Sequence, residues 1–329
     1  MKFFTETTIV QPDRKLSYEN KILILGSCFA DEIGTRMLDR GMNTLINPFG
    51  TLYNPFSIAS SMERLADCRY FVEEDLMEND GIYSTFHHHG KFSDCDPDRF
   101  LKNANDTLKK SSEFFNAADT VIITLGSAFV YRHIARNIIV ANCHKADKKE
   151  FERRRMSISE TAAVLKKMTE NNRDKNFLFT VSPIRHLRDG AHENNLSKAT
   201  LMIAIDEIIS NKINEDNALK NSTEMQTISY FPSYEIIMDE LRDYRFYASD
   251  MVHLSDTAID YVFEKFRENY IDSKAYPVMD KAYAIVKGFR HKALFPESET
   301  WKEFRNRLES EAEKFKKKYP GVSLPPDCI

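Results

Sequence analysis

Short runs of branched and aromatic residues, each halted by glycine, serine or proline, constrain this chain most. Residues 21–25 (KILIL) stop at Gly26-Ser27-Cys28. The segment Thr120–Leu125 (TVIITL) stops at Gly126-Ser127-Ala128, and residues 177–181 (FLFTV) stop at Ser182-Pro183. Weaker runs fall at residues 42–46 and 226–230. Four of these runs lack the polar alternation of a half-wet sheet, which predicts strands buried on both faces. Between them the apolar spacing is helical: residues 29–40, closed by Gly41, then 55–65, 98–116, a helix to about 170 capped at Ser157, 197–211 and 258–266. Strand and helix alternate five times, which predicts a doubly wound parallel sheet with helices on both sides. Residues 67–97 read as a loop-rich excursion with a hairpin. Beyond about residue 275 strands cease, and Trp301, Phe304, Leu308 and Phe315 mark one apolar helical stripe among charges. The reading is one domain over residues 1–275 with a helical extension, 276–329, packed on it.

Composition narrows the class. With 42% hydrophobic and 29% charged residues, the 329-residue chain is globular rather than disordered. A net charge of −4 argues against a nucleic-acid or membrane-surface binder. No apolar run reaches the ~20 residues of a membrane span, and residues 1–15 turn polar too early for a signal peptide. The expected compartment is therefore the cytoplasm. The five cysteines (Cys28, Cys68, Cys95, Cys143, Cys328) are odd in number and contain no C-x-x-C pair. They read as free thiols, mostly buried.

In an open α/β sheet, ligands bind beyond the carboxyl ends of the strands. Those ends carry Gly26-Ser27-Cys28, Asn47 and Gly50, Gly126-Ser127, then Ser182, Arg185 and His186, and finally a longer stretch leading to Asp250 and His253. Cys28, between a strand and a helix, faces unpaired amides and the positive end of the helix dipole, which favour a thiolate. Asp250, three residues before His253, has the spacing to hold one ring nitrogen and leave the other as a base.

Further blocks sharpen this. Gly26-Ser27-Cys28-Phe29-Ala30 resembles the motif that names the GSCFA family, a branch of the SGNH (GDSL-like) hydrolase superfamily. So do Asn47-Pro48-Phe49-Gly50-Thr51 with Tyr53-Asn54-Pro55, residues 123–128 (ITLGSA), 140–145 (VANCHK), 182–190 (SPIRHLRDG) and 250–253 (DMVH). The resemblance covers roughly residues 20–270 and implies a three-layer α/β/α sandwich of SGNH-hydrolase or flavodoxin-like type. It also implies acyl-ester chemistry. The superfamily's serine nucleophile, third in a Gly-Asp-Ser turn, falls on Cys28, with Ser27 as the alternative if the turn shifts. Asp250 and His253 match its D-x-x-H. Its oxyanion donors are the nucleophile's amide, a glycine matched by Gly50, and an asparagine in G-x-N. Here Gly126-Ser127-Ala128 lacks that asparagine; the Ser127 hydroxyl and Asn142 are the replacements considered.

Other residues carry two readings. His87-His88-His89 either bind a metal or, with His89, line the mouth of the site; adjacent residues on a strand cannot all face one ion, and no cofactor or metal is expected. Asn142 and His144 either contact substrate or satisfy a turn. Arg185 and His186 either bind an anion or, for Arg185, pair with Asp189. The aromatics Tyr230, Phe231, Tyr234, Tyr244, Phe246 and Tyr247 suit core packing, with one or two left to stack on a sugar or acyl group. The expected activity is hydrolysis or transfer of an acyl ester on a small molecule or glycan. The rivals are a non-catalytic or glycan-binding protein on the same fold, and a carbohydrate O-acetyl esterase or acetyltransferase. The sequence leaves substrate and oligomeric state open.

Overall fold

The computed structural model describes residues 4–218 and 226–325. Its strands are β1 Ile22–Gly26, β2 Thr44–Ile46, β3 Leu76–Asn79, β4 Ile82–Thr85, β5 Thr120–Leu125, β6 Phe129–His133, β7 Ile138–Val140, β8 Phe151–Arg155, β9 Asn176–Val181 and β10 Ile228–Tyr230. Its helices are α1 Cys28–Leu38, α2 Pro55–Asp67, α3 Pro97–Ala117, α4 Ile158–Glu170, α5 Ala191–Ala218, the short α6 Ser233–Glu235, α7 Asp256–Tyr270, α8 Tyr276–Arg290 and α9 Glu299–Lys318.

Five strands form the central sheet in the order β10-β9-β5-β1-β2, every pair parallel. The period-2 alternation of a strand explains why β1 is apolar throughout. Ile22 and Ile24 pack on one face with Phe29, Ile33 and Met37 of α1 and Ile259, Val262 and Phe263 of α7. Leu23 and Leu25 pack on the other with side chains of α2, α3, α4 and α5. The result is the three-layer α/β/α sandwich expected from the alternation. The strand order reverses between β1 and β5, the place where an open α/β sheet offers a crevice at its carboxyl ends.

Several local signals act as read. Ser157 caps α4, its hydroxyl accepting from Glu160 N at 3.1 Å; the Glu160 carboxylate pairs with Arg154 rather than completing a capping box. Gly41 (φ +77°) closes α1, with Gly41 N donating to Leu38 O and Met42 N to Met37 O. Residues 67–97 contain the hairpin β3–β4.

Two features go beyond the sequence reading. Residues 129–155 form an antiparallel sheet, β7-β6-β8. Strands β6 and β8 carry arginines, Arg153 lying 3.7 Å over the Phe129 ring, and the apolar β7 is only three residues long, so no extended apolar run marks this sheet. Helix α5 starts at Ala191, six residues before the apolar stripe; Gly190 (φ +77°) supplies the break.

The tail is two helices rather than one. Ala282, Ile285 and Val286 of α8 pack against Leu308, Ala312 and Phe315 of α9. The pair is fastened to α1 through Arg290–Asp39 (2.6 Å) and through Arg40, whose guanidinium lies between the Phe263 and Tyr283 rings. Among the described residues no helix is long and apolar enough to cross a membrane.

Candidate functional site at the β1–β5 crevice

The turn after β1 is built by close backbone approach. Gly26 has φ +142°, and a Cβ there would fall 2.1 Å from Thr124 O of β5. Ser27 N donates to that same carbonyl at 3.1 Å. Asn47 locks the turn from the other side. Its Oδ1 accepts from Gly26 N and its Nδ2 donates to Asp31 Oδ1, both at 2.8 Å. Ser27 then serves as the N-cap of α1, its hydroxyl accepting from Phe29 N at 3.3 Å, and it is 1% exposed. That buried, engaged hydroxyl is not presented as a nucleophile.

Cys28 is the first residue of α1 and partly exposed. The backbone amides at the start of α1 favour its thiolate, as the helix-terminus argument expects. The net effect is nevertheless the reverse of the expected fall. Burial pushes the thiol pKa up, and the carboxylates of Asp31 and Glu32 push the same way. Two acidic residues in the first turns of α1 oppose the dipole locally.

Asp250 and His253 form the expected pair. Asp250 Oδ2 accepts from His253 Nδ1 at 2.6 Å, and Oδ1 accepts from the amides of Val252 and His253 at 2.9 Å. The bond from His253, then those from the amides, hold the Asp250 carboxyl down at about 2. The loop is braced by Ala248 N donating to His253 O and by Arg185 donating to the carbonyl of Met251 (φ +58°). Val252 and Leu254 pack in the same apolar cluster as Cys28. Among the described residues no hydrogen bond joins His253 to Cys28 or Ser27.

The donors expected for an oxyanion are largely committed. Gly50 (φ +80°) gives its amide to Asn47 O at 2.7 Å, closing a turn. The amides of Gly126 and Ser127 both donate to Tyr53 O, at 2.8 and 2.9 Å. The Ser127 hydroxyl accepts from Phe129 N at 3.1 Å and meets Ser197 Oγ at 3.3 Å, so it organises the strand end. Asn142 and His144 take the turn reading. Asn142 Oδ1 accepts from His144 N, and His144 Nε2 contacts Thr85 O at 2.8 Å.

The remaining candidates separate cleanly. Arg185 does not pair with Asp189, which is bound by Arg153; it stacks on Tyr244 and Tyr247, with ring centroids 5.5 and 4.9 Å away. His186 lies edge-on to Tyr53 at 5.4 Å. Burial and the charges of Lys198 and Arg153 push it down to about 4, so it is neutral near pH 7 and offers no cation to an anion. His87 and His88 are held at about 4 and 3 by burial. His88 sits among Phe49, Phe71, Phe92 and Phe100 with its Nδ1 on Thr85 Oγ1. His89 packs against the Gly50 turn: its amide donates to Phe49 O, and a Cβ on Gly50 would meet its Cβ at 2.3 Å. No cluster of three or more metal-ligating side chains occurs among the described residues. Cys28, Cys68, Cys95 and Cys143 are free thiols, and Cys95 is exposed; Cys328 lies outside the described residues.

Two further residues shape the site without having been singled out. Tyr53 clamps the β5 end through its carbonyl, its ring lies against Gly126, and its hydroxyl, 3.5 Å from Thr51 Oγ1, senses the charge of Cys28. Lys198 is completely buried, with Nζ 2.7 Å from both Gly126 O and Ser182 O. The signal for Lys198 was its phase, in register with Leu201, Ile205 and Ile208 on the apolar face of α5.

A search of curated proteins and a search of solved structures each return no match. The sequence profile of the GSCFA family matches residues 21–266. That span holds the whole central sheet, the thiol turn and the Asp250–His253 loop, and the chain belongs to the GSCFA family.

Proposed function

We propose that this chain is an SGNH-like hydrolase or acyltransferase acting on acyl esters, with Cys28 as nucleophile, His253 as base and Asp250 as its orienting carboxylate. The observation that carries the reading is the 2.6 Å bond between Asp250 and His253 Nδ1, on a loop packed in the same cluster as Cys28. Attack forms a bond from Sγ to the acyl carbon while His253 Nε2 takes the thiol proton. Collapse breaks the ester C–O bond, and the proton returns to the leaving oxygen. Water or an acceptor hydroxyl then releases the thioester. The amide of Cys28 is the oxyanion donor the turn offers. In a site of this kind the base draws within bonding distance when substrate is bound.

A second reading has its own support. The committed amides of Gly50, Gly126 and Ser127 and the raised thiol pKa suit a non-catalytic protein that binds an acyl or glycan group in this crevice. The test is hydrolysis of short acyl esters and acetylated sugars by the wild type and by Cys28→Ala, Ser27→Ala and His253→Ala. The acyl-ester reading expects loss of ~10²-fold or more in the Cys28 and His253 variants. Full activity in His253→Ala overturns it. Binding of acetylated sugars without turnover supports the second reading, and an added acetyl acceptor separates transfer from hydrolysis.

A further inference from the structure

Asp250 and His253 are both half-exposed, and a solvent-exposed pair does little by itself to hold two side chains in one geometry. What anchors their loop therefore decides how firmly the ring is aimed. Among the described residues, the other hydrogen bonds of residues 249–253 come from the loop or its immediate flanks. Arg185 is the exception: its Nη2 donates to Met251 O at 2.8 Å from the segment that follows β9. That segment is firmly seated. Ile184 N donates to Ser182 Oγ at 3.3 Å, and Ile184 packs in the cluster that holds Cys28, Val252 and Leu254. The guanidinium lies over the Tyr244 and Tyr247 rings. Its Nε is buried and meets no acceptor among the described residues. The side chain is placed by the rings and the Met251 carbonyl rather than by filling all its donors.

The bonded carbonyl has a partner on its other edge. Met251 C=O and Val252 N–H belong to one planar trans peptide and point in opposite directions. Val252 N donates to Asp250 Oδ1 at 2.9 Å, and Asp250 Oδ2 accepts from His253 Nδ1 at 2.6 Å. A cation on the carbonyl oxygen polarises the peptide and strengthens its N–H as a donor. A fixed carbonyl also fixes where that N–H points. Met251 has φ +58°, a conformation a methionine holds only against a steric cost, so this peptide needs an outside hold to keep its orientation. One relay thus runs from Arg185 through a single peptide group to the carboxylate and on to the ring.

We propose that Arg185 is a positioning residue that sets the His253 ring through the Met251–Val252 peptide and Asp250, keeping the proton on Nδ1 and Nε2 free as the base. It assigns Arg185 to the base rather than to an anion on the substrate. The proposal rests on reading His253 as the base, but the tautomer of the ring is measurable without any substrate.

The test compares the wild type, Arg185→Met and Arg185→Lys as full chains labelled with ¹⁵N-histidine. The His253 signals, among those of nine histidines, are identified by their loss in His253→Gln. Arg185 stands outside the central sheet, so both variants are expected to fold. At alkaline pH, where imidazole is neutral, the wild type is expected to hold the proton on Nδ1. Arg185→Met is expected to shift the tautomer ratio toward Nε2–H by about tenfold, the size of one charge-assisted hydrogen bond. Arg185→Lys keeps a cationic donor and loses the flat stack on the tyrosines, and is expected to recover part of the wild-type ratio. A folded Arg185→Met protein with the wild-type ratio overturns the proposal, and so does an Arg185→Lys protein no closer to wild type than Arg185→Met. On a short acyl ester, Arg185→Met is expected to lower kcat about tenfold with KM within about twofold. A raised KM with kcat and tautomer unchanged assigns Arg185 to substrate binding and overturns the proposal. A tautomer that depends on Arg185 in a protein without ester turnover refutes the function and leaves Arg185 its role. Turnover that needs His253 while the tautomer ignores Arg185 does the opposite.

Discussion

Replacing Asn47 by alanine removes the one side chain that fixes the thiol turn from outside β1. Asn47 is 2% exposed, and its Oδ1 is the acceptor for Gly26 N at 2.8 Å. Without it that buried amide has no acceptor, a loss of about 1–3 kcal/mol. Asn47 also has φ +42°, a left-handed conformation asparagine tolerates and alanine resists by about 1–2 kcal/mol. The bond from Nδ2 to the partly exposed Asp31 is replaced by water and adds little. The expected destabilisation is about 2–5 kcal/mol, measured as a lower midpoint of urea unfolding at unchanged slope. Asp31→Asn provides the control. It loses only the outer bond and should fall within about 1 kcal/mol of the wild type, while easing ionisation of Cys28 by removing one opposing carboxylate. The reasoning is refuted if Asn47→Ala unfolds within 0.5 kcal/mol of the wild type, taking about 0.5 as the scatter of an ordinary surface change.

Ser127→Ala separates structure from catalysis: its hydroxyl accepts from Phe129 N, so stability should fall by about 1 kcal/mol while ester turnover stays within about twofold, and a loss of ~10²-fold would restore it as an oxyanion donor. Gly26→Ala should cost about 3 kcal/mol or more, because its Cβ would overlap Thr124 O at 2.1 Å; a melting temperature equal to the wild type's contradicts this. Asp250 has a folded pKa depressed to about 2, below its usual carboxylate value, so its contribution is present above that usual value and lost as pH falls through about 2. Its ¹³Cγ resonance should therefore stay still from pH 5 to 3.5, and a midpoint near 4 would show that the bond to His253 does not persist in solution.

What was legible followed from how directly a residue's environment is written in its neighbours. The strand runs were readable because both faces of the central sheet are buried, so Ile22–Leu25 is apolar at every position and Thr120–Leu125 at all but its two buried threonines. The β6–β8 sheet was not, since its arginines are solvated or stacked on rings such as Phe129. The positions of Cys28, Asp250 and His253 were readable because a turn after a strand and a three-residue spacing are local. Their electrostatics were not. The helix end alone favours a thiolate at Cys28, but Asp31 and Glu32, one turn along the same helix and visible in the sequence, oppose it. The oxyanion assignment failed for a different reason: Gly50 was chosen by motif, whereas its amide is spoken for by a turn that only the fold reveals.

Lys198 joins these two lessons. As one lysine among many it reads as solvated, yet its helical phase places it on the apolar stripe of α5, where a charge has to be answered by something across the core. The sequence holds no local partner for it, and the structure supplies the strand-end carbonyls of Gly126 and Ser182. Burial drives Lys198 down to about 7, so near neutral pH its nitrogen ties the ends of β5 and β9 together as a donor to both carbonyls in either protonation state.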